Sequence, residues 1–202
     1  EIVRKGKKDL DEQQVATMKE HNVPDWYIDS CNKIKYMFPR AHAVAYTMMS
    51  FRMAWYKVYY PQEFYATYFT TKVANFDAET ILKGKEAILA RMDEITAKGI
   101  NASAKEKDDY TILEVAYEMY ARGYEFTPAR LDKSDAVKFD VDDGKVLLPF
   151  VAIEGVGETA ARAFAEEYAV KPFDTIEEAG KRAKLNKTAT EGLRGHGVFA
   201  GL

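Results

Sequence analysis

Residues 150–161 read FVAIEGVGETAA, a stretch in which two glycines enclose one valine and alanines follow. The pattern predicts a short helix, a tight turn over Gly155, Val156 and Gly157, and a second helix that continues to about Tyr168. Glycine has no Cβ, so both glycines can take positive φ angles and let a ligand approach the backbone. We expect Val156 to be buried and the second helix to begin with outward-facing N–H groups.

Such a turn is a candidate anion site. The first amides of a helix have no intrahelical acceptor, and the helix dipole adds partial positive charge at the same end. Residues 149–202 hold seven Lys and Arg against eight Asp and Glu, so any attraction for phosphate has to come from the backbone. A Gly-x-Gly turn is also common where two helices meet, and a purely structural turn therefore stays open as the alternative.

The remainder of the chain predicts a mainly α fold, because apolar residues recur at helical spacing over most of its length. A short β-hairpin is the exception: Val137, Phe139 and Val141 alternate with polar residues, and Asp143-Gly144 supplies the turn. Side chains of two predicted helices are assigned to the protein core. From the helix over 41–60 these are Met48, Met49, Phe51, Met53 and Trp55. From a single helix over 77–99 they are Ile81, Ile88, Leu89, Met92 and Ile95. Helix caps are predicted at Asp77, Ser103, Asp174 and Asn186.

Composition excludes several classes of protein. The chain has 202 residues, of which 47% are hydrophobic and 30% charged, as in a folded protein rather than a disordered one. Its most apolar stretch, residues 41–60, is interrupted by His42, Arg52 and Lys57, so we expect no membrane role. A lone Cys31 cannot form an internal disulfide, and the three histidines lack metal-ligand spacing, so we expect a cytoplasmic protein without zinc. The start at Glu1, without methionine or leader, indicates a piece of a larger protein.

The net charge of −3 conceals an asymmetry. Residues 1–60 hold ten Lys and Arg against seven Asp and Glu, whereas residues 61–202 hold nineteen against twenty-five. Two basic clusters lie in the first part, one around Gly6 and one just before the helix over 41–60. Their members are candidate phosphate ligands: Arg4, Lys5 and Lys7, and Arg40 and His42. For the first cluster, a solvated surface segment is the alternative. His42 alternatively caps its helix or satisfies a buried carbonyl, Lys8 or Lys35 can substitute for the named lysines, and Arg52 and Lys57 can simply solvate their helix.

The turn resembles a known DNA-binding element. The pattern Ile153-x-Gly155-Val156-Gly157-x-x-x-Ala161 resembles the helix-hairpin-helix motif of DNA polymerases, ligases and repair proteins, which implies duplex binding without sequence preference. Glu158 departs from that pattern because its charge opposes a phosphate on the same turn. Residues 185–199, with Gly-His-Gly at 195–197, resemble a degenerate second copy.

A second resemblance covers essentially the whole chain. Residues 38–46, FPRAHAVAY, and residues 60–66, YPQEFYA, resemble a signature of bacterial C-family replicative DNA polymerases, the DNA polymerase III α subunits. Residues 3–7, 22–31 and 99–107 resemble the PolC-type branch of that family. The resemblance implies that these 202 residues are the C-terminal part of such a polymerase, a nucleotidyltransferase.

The resemblance also implies a division of labour. Residues 1–72 become a fingers segment that contacts the incoming nucleotide through Arg4, Lys5, Lys7, Arg40 and His42. Residues 73–148 become a linking region, a helical pair plus the β-hairpin, and residues 149–202 the helix-hairpin-helix region that binds duplex DNA. The implied partners are primer-template DNA, the incoming dNTP and the rest of the polymerase chain.

The catalytic machinery is expected elsewhere. Family resemblance implies a preceding palm whose aspartates bind two Mg²⁺, and no segment here resembles it. We therefore expect no catalytic residue, no cofactor, no metal site and no polymerase activity in this part alone; Asp11 and its acidic neighbours serve as helix caps instead. PolC-type chains end in a peptide that binds the sliding clamp, and none is found at Leu202, so clamp binding is expected outside these residues. The alternative is a stand-alone helical protein-interaction domain with a structural Gly-x-Gly turn.

Overall fold

The computed structural model describes residues 2–5, 9–34 and 37–202 and confirms a mainly α-helical fold. The chain divides into two compact units, Glu1–Ala54 and Trp55–Leu202. The boundary between the units falls inside a continuous helix.

The first unit contains three short helices and most of a long one. The helices are α1 (Ile2–Lys5), α2 (Glu12–Glu20), α3 (Asp25–Lys33) and α4 (Arg40–Tyr59). Asp11 caps α2 as expected: its carboxylate accepts a hydrogen bond from the N–H of Gln14 at 2.8 Å, and the Gln14 side chain accepts from the Asp11 N–H at 3.1 Å. Ile28 and Cys31 of α3 are buried.

The prediction for α4 was right about the helix and wrong about its burial. No residue of α4 is buried, and Met48, Met49, Phe51, Met53 and Trp55 are 48 to 74% exposed. Apolar composition reports what a side chain prefers to contact, not whether a partner is available. Within the described residues these side chains are at most about half covered, Trp55 by the rings of Tyr59 and Tyr60.

The second unit begins with the last turn of α4 and continues into α5 (Pro61–Lys72). Pro61 opens α5 at a position that needs no backbone donor. Tyr65 and Phe69 of α5 are fully buried. The Tyr65 hydroxyl donates to Glu118 at 2.6 Å, and the Arg122 guanidinium donates to the same hydroxyl at 3.0 Å and to the Lys57 carbonyl at 3.2 Å. This network ties the end of α4 to the core of the second unit.

A single helix over 77–99 was the wrong prediction. Two helices occupy this stretch, α6 (Ala78–Leu82) and α7 (Lys85–Lys98). They are separated at Gly84, whose φ of +94° lies outside the helical region. The cap at Asp77 is confirmed, since Asp77 accepts from the Thr80 N–H at 3.0 Å. Leu89, expected in the core, is 41% exposed.

Helix α8 (Ala104–Ala121) packs against α7 as the expected helical pair. Its capping box is confirmed: the Ser103 hydroxyl accepts from the Glu106 N–H at 3.2 Å, and the Glu106 carboxylate accepts from the Ser103 N–H at 2.9 Å. The Glu106 carboxylate also accepts a hydrogen bond from Lys98 at the end of α7. Glu106 therefore links both helices of the pair.

The sheet has three strands rather than two. The predicted hairpin is present as β2 (Asp140–Asp142) and β3 (Lys145–Leu147), joined through Asp143 and Gly144 with φ angles of 49° and 73°. The additional strand β1 (Phe126–Thr127) runs parallel to β3. Two residues are too few to show strand alternation, which is why the sequence pattern did not reveal β1.

Two aromatic groups form the core of the second unit. In the first group, Phe69 lies 5.0 Å from Phe126 and Phe76 lies 4.8 Å from Phe139, measured between ring centroids. The second group surrounds Phe164 of α9 (Glu158–Val170), with neighbouring ring centroids at 4.9 to 5.9 Å. That group comprises Phe150, Phe164, Phe173 and Phe199. The second group packs Phe150, which precedes the glycine turn, against Phe164 of α9, which follows it.

Two short helices complete the chain, α10 (Ile176–Arg182) and α11 (Lys187–Gly195). Asn186 caps α11 as predicted, accepting from the Ala189 N–H at 2.8 Å. The cap of α10 is Thr175, which accepts from the Glu178 N–H at 3.1 Å, and not Asp174. Both candidate positions carry an acidic residue three places later, so spacing alone did not separate them.

We predict that the Glu106 carboxylate makes the stability of the second unit depend on pH. The hydrogen bonds from Lys98 and Ser103 lower the pKa of Glu106 from 4.5 to about 2. A lowered folded-state pKa stabilises the fold above the unfolded-state pKa, and that contribution is lost as the pH falls through about 2. Urea denaturation between pH 7 and pH 2 should therefore show a smaller loss of stability in Glu106→Gln than in the parent chain.

Glu114→Gln on the exposed side of α8 is the matched control, because it removes a carboxylate from the same helix outside this capping box. An acid profile of Glu106→Gln that is identical to that of Glu114→Gln would contradict the assignment.

Candidate nucleic-acid interface

The Gly-x-Gly turn, below called the hairpin and distinct from the β2–β3 hairpin, adopts the predicted conformation with one difference. A short 3-10 turn, Phe150–Ala152, precedes it, Gly155 has a φ of +83°, and Val156 is buried. The Val156 N–H donates to the Ile153 carbonyl at 3.0 Å. Gly157, expected to share the positive φ, instead lies at φ −74° and ψ 159° as the residue before α9. Only Gly155 therefore needs the left-handed conformation.

The start of α9 carries a row of open backbone donors. No side chain caps this end, and the first N–H to reach a helical acceptor is that of Ala161, which donates to the Gly157 carbonyl at 2.9 Å. Among the described residues, no acceptor contacts the N–H groups of Gly157 to Ala160. Gly157, Glu158 and Thr159 are exposed. Open amides at a helix N-terminus suit an anion, because the helix dipole acts in the same direction.

Close packing against α11 holds the hairpin in place. A Cβ on Gly155 would lie 2.7 Å from the Thr188 methyl group and 3.3 Å from the Thr188 carbonyl oxygen. A Cβ on Gly192 would overlap the carbonyl oxygen of Glu154. Gly155 is thus required for packing as well as for its φ angle, whereas a Cβ on Gly157 would meet nothing within 4 Å.

Gly192 is the residue that sequence reasoning missed. A glycine inside a helix weakens it by about 1 kcal/mol relative to alanine, so its presence within α11 was a signal for a close backbone approach. That approach is the contact with Glu154.

The negative charge of Glu158, which opposes a phosphate at the hairpin, has a positive partner in the structure. Glu158, noted as a departure from the motif, pairs with Arg162 one turn later, with a shortest oxygen-to-nitrogen distance of 2.7 Å. The pair is exposed, so it adds little stability, but it places a positive charge beside the negative one. Glu154 is exposed at the tip of the hairpin, and no ion pair reaches it within the described residues.

A groove of about 850 Å³ lies beside the hairpin and is lined by Glu154 to Gly157, by His196 and by residues of α6 to α8. Its lining includes four carboxylates, from Asp77, Glu79, Asp109 and Glu154, against the cations of Arg91 and Lys105. Burial raises the pKa of Asp109. The acidic lining makes the groove a poor phosphate site, and the exposed amides of the hairpin remain the better candidate.

The second copy of the motif is incomplete. Gly197 has a φ of +72°, and the Val198 N–H donates to the Leu193 carbonyl at 3.0 Å, which resembles the turn at Gly155. Val198 and Phe199 are buried. Turns and no helix follow through Leu202, so the open amides of a helix start are not repeated here within the described residues.

The structure brings the two basic clusters of the first unit close together at the backbone. The Met37 N–H donates to the carbonyl of Arg4 at 3.1 Å, so the end of α1 lies against the segment that leads into Arg40. The side chains of Arg4, Lys5 and Arg40 are exposed. Lys7 lies outside the described residues.

His42 is part of a small aromatic group. Its ring lies 5.1 Å from that of Phe38 and 5.3 Å from that of Tyr46, between centroids. It is exposed, and these ring contacts lie at the surface of the first unit. This arrangement does not support a buried structural role for His42.

In residues 2–5, 9–34 and 37–202, no three side chains of His, Cys, Asp or Glu are grouped so that they can hold a metal ion. Over the same residues, no helix combines the length and apolar character that crossing a membrane requires.

The chain is similar to known proteins both over the hairpin region and over its whole length. Residues 123–202, from the end of α8 through the sheet and hairpin to α11, match the family described as "Helix-hairpin-helix motif". The whole chain is 50% identical to DNA polymerase III PolC-type of Clostridium perfringens over 202 residues. All 202 residues match the C-terminal part of PolC-type DNA polymerase III.

Other PolC-type proteins are similarly related. The chain is 46% identical to that of Bacillus subtilis and 43% identical to that of Thermotoga maritima, in each case over all 202 residues. It spans only 14 to 15% of the length of these relatives. The expected resemblance to the PolC-type branch and the helix-hairpin-helix element are therefore both confirmed.

We predict that the glycines of the hairpin differ sharply in what they tolerate. Gly155→Ala and Gly192→Ala should each lower the free energy of unfolding by about 1 to 3 kcal/mol, because the new methyl group has to displace backbone or a neighbouring side chain. Gly157→Ala should change it by less than about 0.5 kcal/mol. Urea denaturation of the three variants measures this difference, and a Gly192→Ala variant as stable as Gly157→Ala would refute the packing account.

Proposed function

We propose that this chain is the part of a replicative DNA polymerase that holds duplex DNA and the incoming nucleotide. The hairpin at Gly155 to Gly157 and the first turn of α9 bind a backbone phosphate of the primer-template, without reading its sequence. The observation that carries this proposal is the row of open, exposed amides at the start of α9, which no side chain caps.

The alternative, a stand-alone protein-interaction domain with a structural turn, accounts for part of the hairpin only. Gly155 has a packing role against Thr188, as that alternative requires. Gly157 has none, since a side chain at this position would meet open space. The match of the whole chain to PolC-type polymerases also favours the polymerase role.

The proposed nucleotide contacts lie in residues 1–72, the fingers segment of the proposal. Arg4, Lys5, Lys7, Arg40 and His42 are assigned to the triphosphate. The hydrogen bond between Met37 and Arg4 supports this assignment, because it brings the backbones of the two basic clusters together. Guanidinium and ammonium groups next to a helix start are the usual ligands of phosphate oxygens.

The rest of the proposal concerns the parts of the polymerase outside these residues. Residues 73–148 link the fingers segment to the duplex-binding region, 149–202. The catalytic aspartates with their Mg²⁺ ions, and the peptide that binds the sliding clamp, are assigned to other segments of the polymerase, which acts in the bacterial cytoplasm. The 202 residues alone are expected to bind DNA without extending a primer.

Duplex binding is tested by placing a carboxylate on the hairpin. Gly157→Asp adds a negative charge where the phosphate is proposed to sit, and the conformation of Gly157 is one that aspartate adopts without strain. Loss of one or two charge-assisted hydrogen bonds corresponds to about a tenfold weaker affinity for a random-sequence duplex. Fluorescence anisotropy at several salt concentrations measures it, and the parent affinity should fall as salt rises.

Gly180→Asp in α10 is the matched control, because it makes the same substitution at a glycine that also has open space around its Cβ. Equal weakening by both variants would show a general effect of charge, and no binding by the parent chain at low salt would overturn the proposal.

The nucleotide contacts are tested in the full-length polymerase. Reversing the charges at Arg4 and Lys5 to glutamate should raise the KM for dNTP about tenfold or more, since each charge-assisted bond to phosphate contributes about 1.5 to 3 kcal/mol. Lys33→Glu, at the end of α3 in the same unit, should leave KM near the parent value. Steady-state primer extension decides the matter, and an unaltered KM in the double variant removes both residues from the site.

A further inference from the structure

Arg162 of α9 extends toward the helix start, where the open amides of the hairpin lie. Side chains of an α-helix tilt toward its N-terminus, and residues four apart lie on the same face. Arg162 follows Glu158, the first residue of α9, by four positions. The structure shows the resulting reach directly, because the Arg162 guanidinium lies 2.7 Å from the Glu158 carboxylate. A positive charge is thus placed at the first turn of α9.

The Arg162 guanidinium is engaged along one edge and open at the other. Its Nε and Nη2 atoms both donate to Oε1 of Glu158, at 2.9 and 2.7 Å. Among the described residues, its Nη1 atom has no acceptor. A guanidinium has five N–H donors, and a pair of them matches two oxygens of a phosphate. The Nη1 and Nη2 end therefore remains open to a ligand while Glu158 holds the other edge.

Helix stability gives little reason for a cation at this position. The side chains of Arg162 and Glu158 are 52% and 63% exposed, and an exposed ion pair contributes little to stability. The helix dipole also disfavours a positive charge near the N-terminus. A phosphate on the open amides would supply negative charge that both the dipole and the guanidinium attract.

Other acids near Arg162 do not occupy its open end. A groove of about 450 Å³ beside α9 has Arg162, Asp135, Asp140 and Glu166 in its lining. Asp135 and Asp140 accept hydrogen bonds from backbone N–H groups of their own segments. Over the described part of the chain, Glu158 is the one acid within ion-pair distance of Arg162. The open end is thus available to an anion from outside the chain.

We infer that Arg162 is a side-chain ligand of duplex DNA, donating from its Nη1 and Nη2 end to the phosphate that the first amides of α9 hold. The inference rests on the proposed function, because it adds a charged ligand to the same phosphate site. It also bears on the acidic composition of residues 149–202, since one correctly placed guanidinium can act there despite the average charge. The contact is to phosphate and reads no base sequence.

The experiment measures affinity for a random-sequence duplex while controlling the charge of the Glu158–Arg162 pair. Arg162→Met removes the donors but keeps an unbranched, helix-forming side chain. It should weaken binding about tenfold and reduce the slope of log affinity against log salt by about 0.9, as for one lost phosphate contact. The double variant Glu158→Gln/Arg162→Met has the zero net charge of the parent pair and should still bind several-fold more weakly than the parent. Fluorescence anisotropy at several salt concentrations gives these values, after circular dichroism has shown that each variant is folded.

Lys83→Met is the matched control, because Lys83 forms the same i,i+4 ion pair with Glu79, at 2.8 Å, and is similarly exposed on α6. Its affinity should stay within about twofold of the parent value, since a distant exposed charge is screened by salt. An Arg162→Met variant that binds as tightly as Lys83→Met would overturn the inference, as would a double variant that binds as tightly as the parent. If Gly157→Asp weakens binding in the same assay, the proposed function still stands in either case. A parent chain that binds no duplex at low salt would overturn both.

Discussion

The close approach of the hairpin to α11 is the constraint on which the candidate interface depends. Two glycines without Cβ atoms, Gly155 and Gly192, let the hairpin backbone lie directly against Thr188 and the α11 backbone. This contact anchors Val156 in the core and fixes where α9 begins. Gly157 and the first amides of α9 are exposed without any side chain to cap them. The donors are open because Gly157, the residue before α9, has no side chain that could accept from them.

Under the proposed function, the two units bind phosphate by different means. Residues 149–202 carry slightly more acidic than basic residues, so their proposed attraction for DNA comes from oriented backbone dipoles, with Arg162 compensating Glu158 beside them. The first unit instead gathers exposed cations, and a backbone hydrogen bond from Met37 to Arg4 brings its two basic clusters together. Backbone dipoles suit a duplex that must slide, because they fix position without reading bases, while side-chain cations suit a compact triphosphate.

Features fixed by local chemistry could be predicted from the sequence, and features fixed by distant contacts could not. The caps at Asp11, Ser103 and Asn186 depend on residues three positions apart and were confirmed. The parallel strand β1 and the role of Gly192 depend on partners far along the chain and were missed. The apolar side chains of α4 were assigned to a core because sequence shows what a residue prefers to contact. Sequence does not show whether that contact lies within the same 202 residues.

The central claim is that backbone amides of the hairpin hold the DNA phosphate. Amide NMR spectra of the ¹⁵N-labelled chain, recorded during titration with a short random-sequence duplex, test it most directly. The account predicts that the largest shifts occur at Gly155, Gly157, Glu158 and Thr159, move downfield as expected for N–H donation to phosphate, and reverse on addition of salt. Shifts confined to the basic residues of the first unit, with those four amides unmoved, would contradict it.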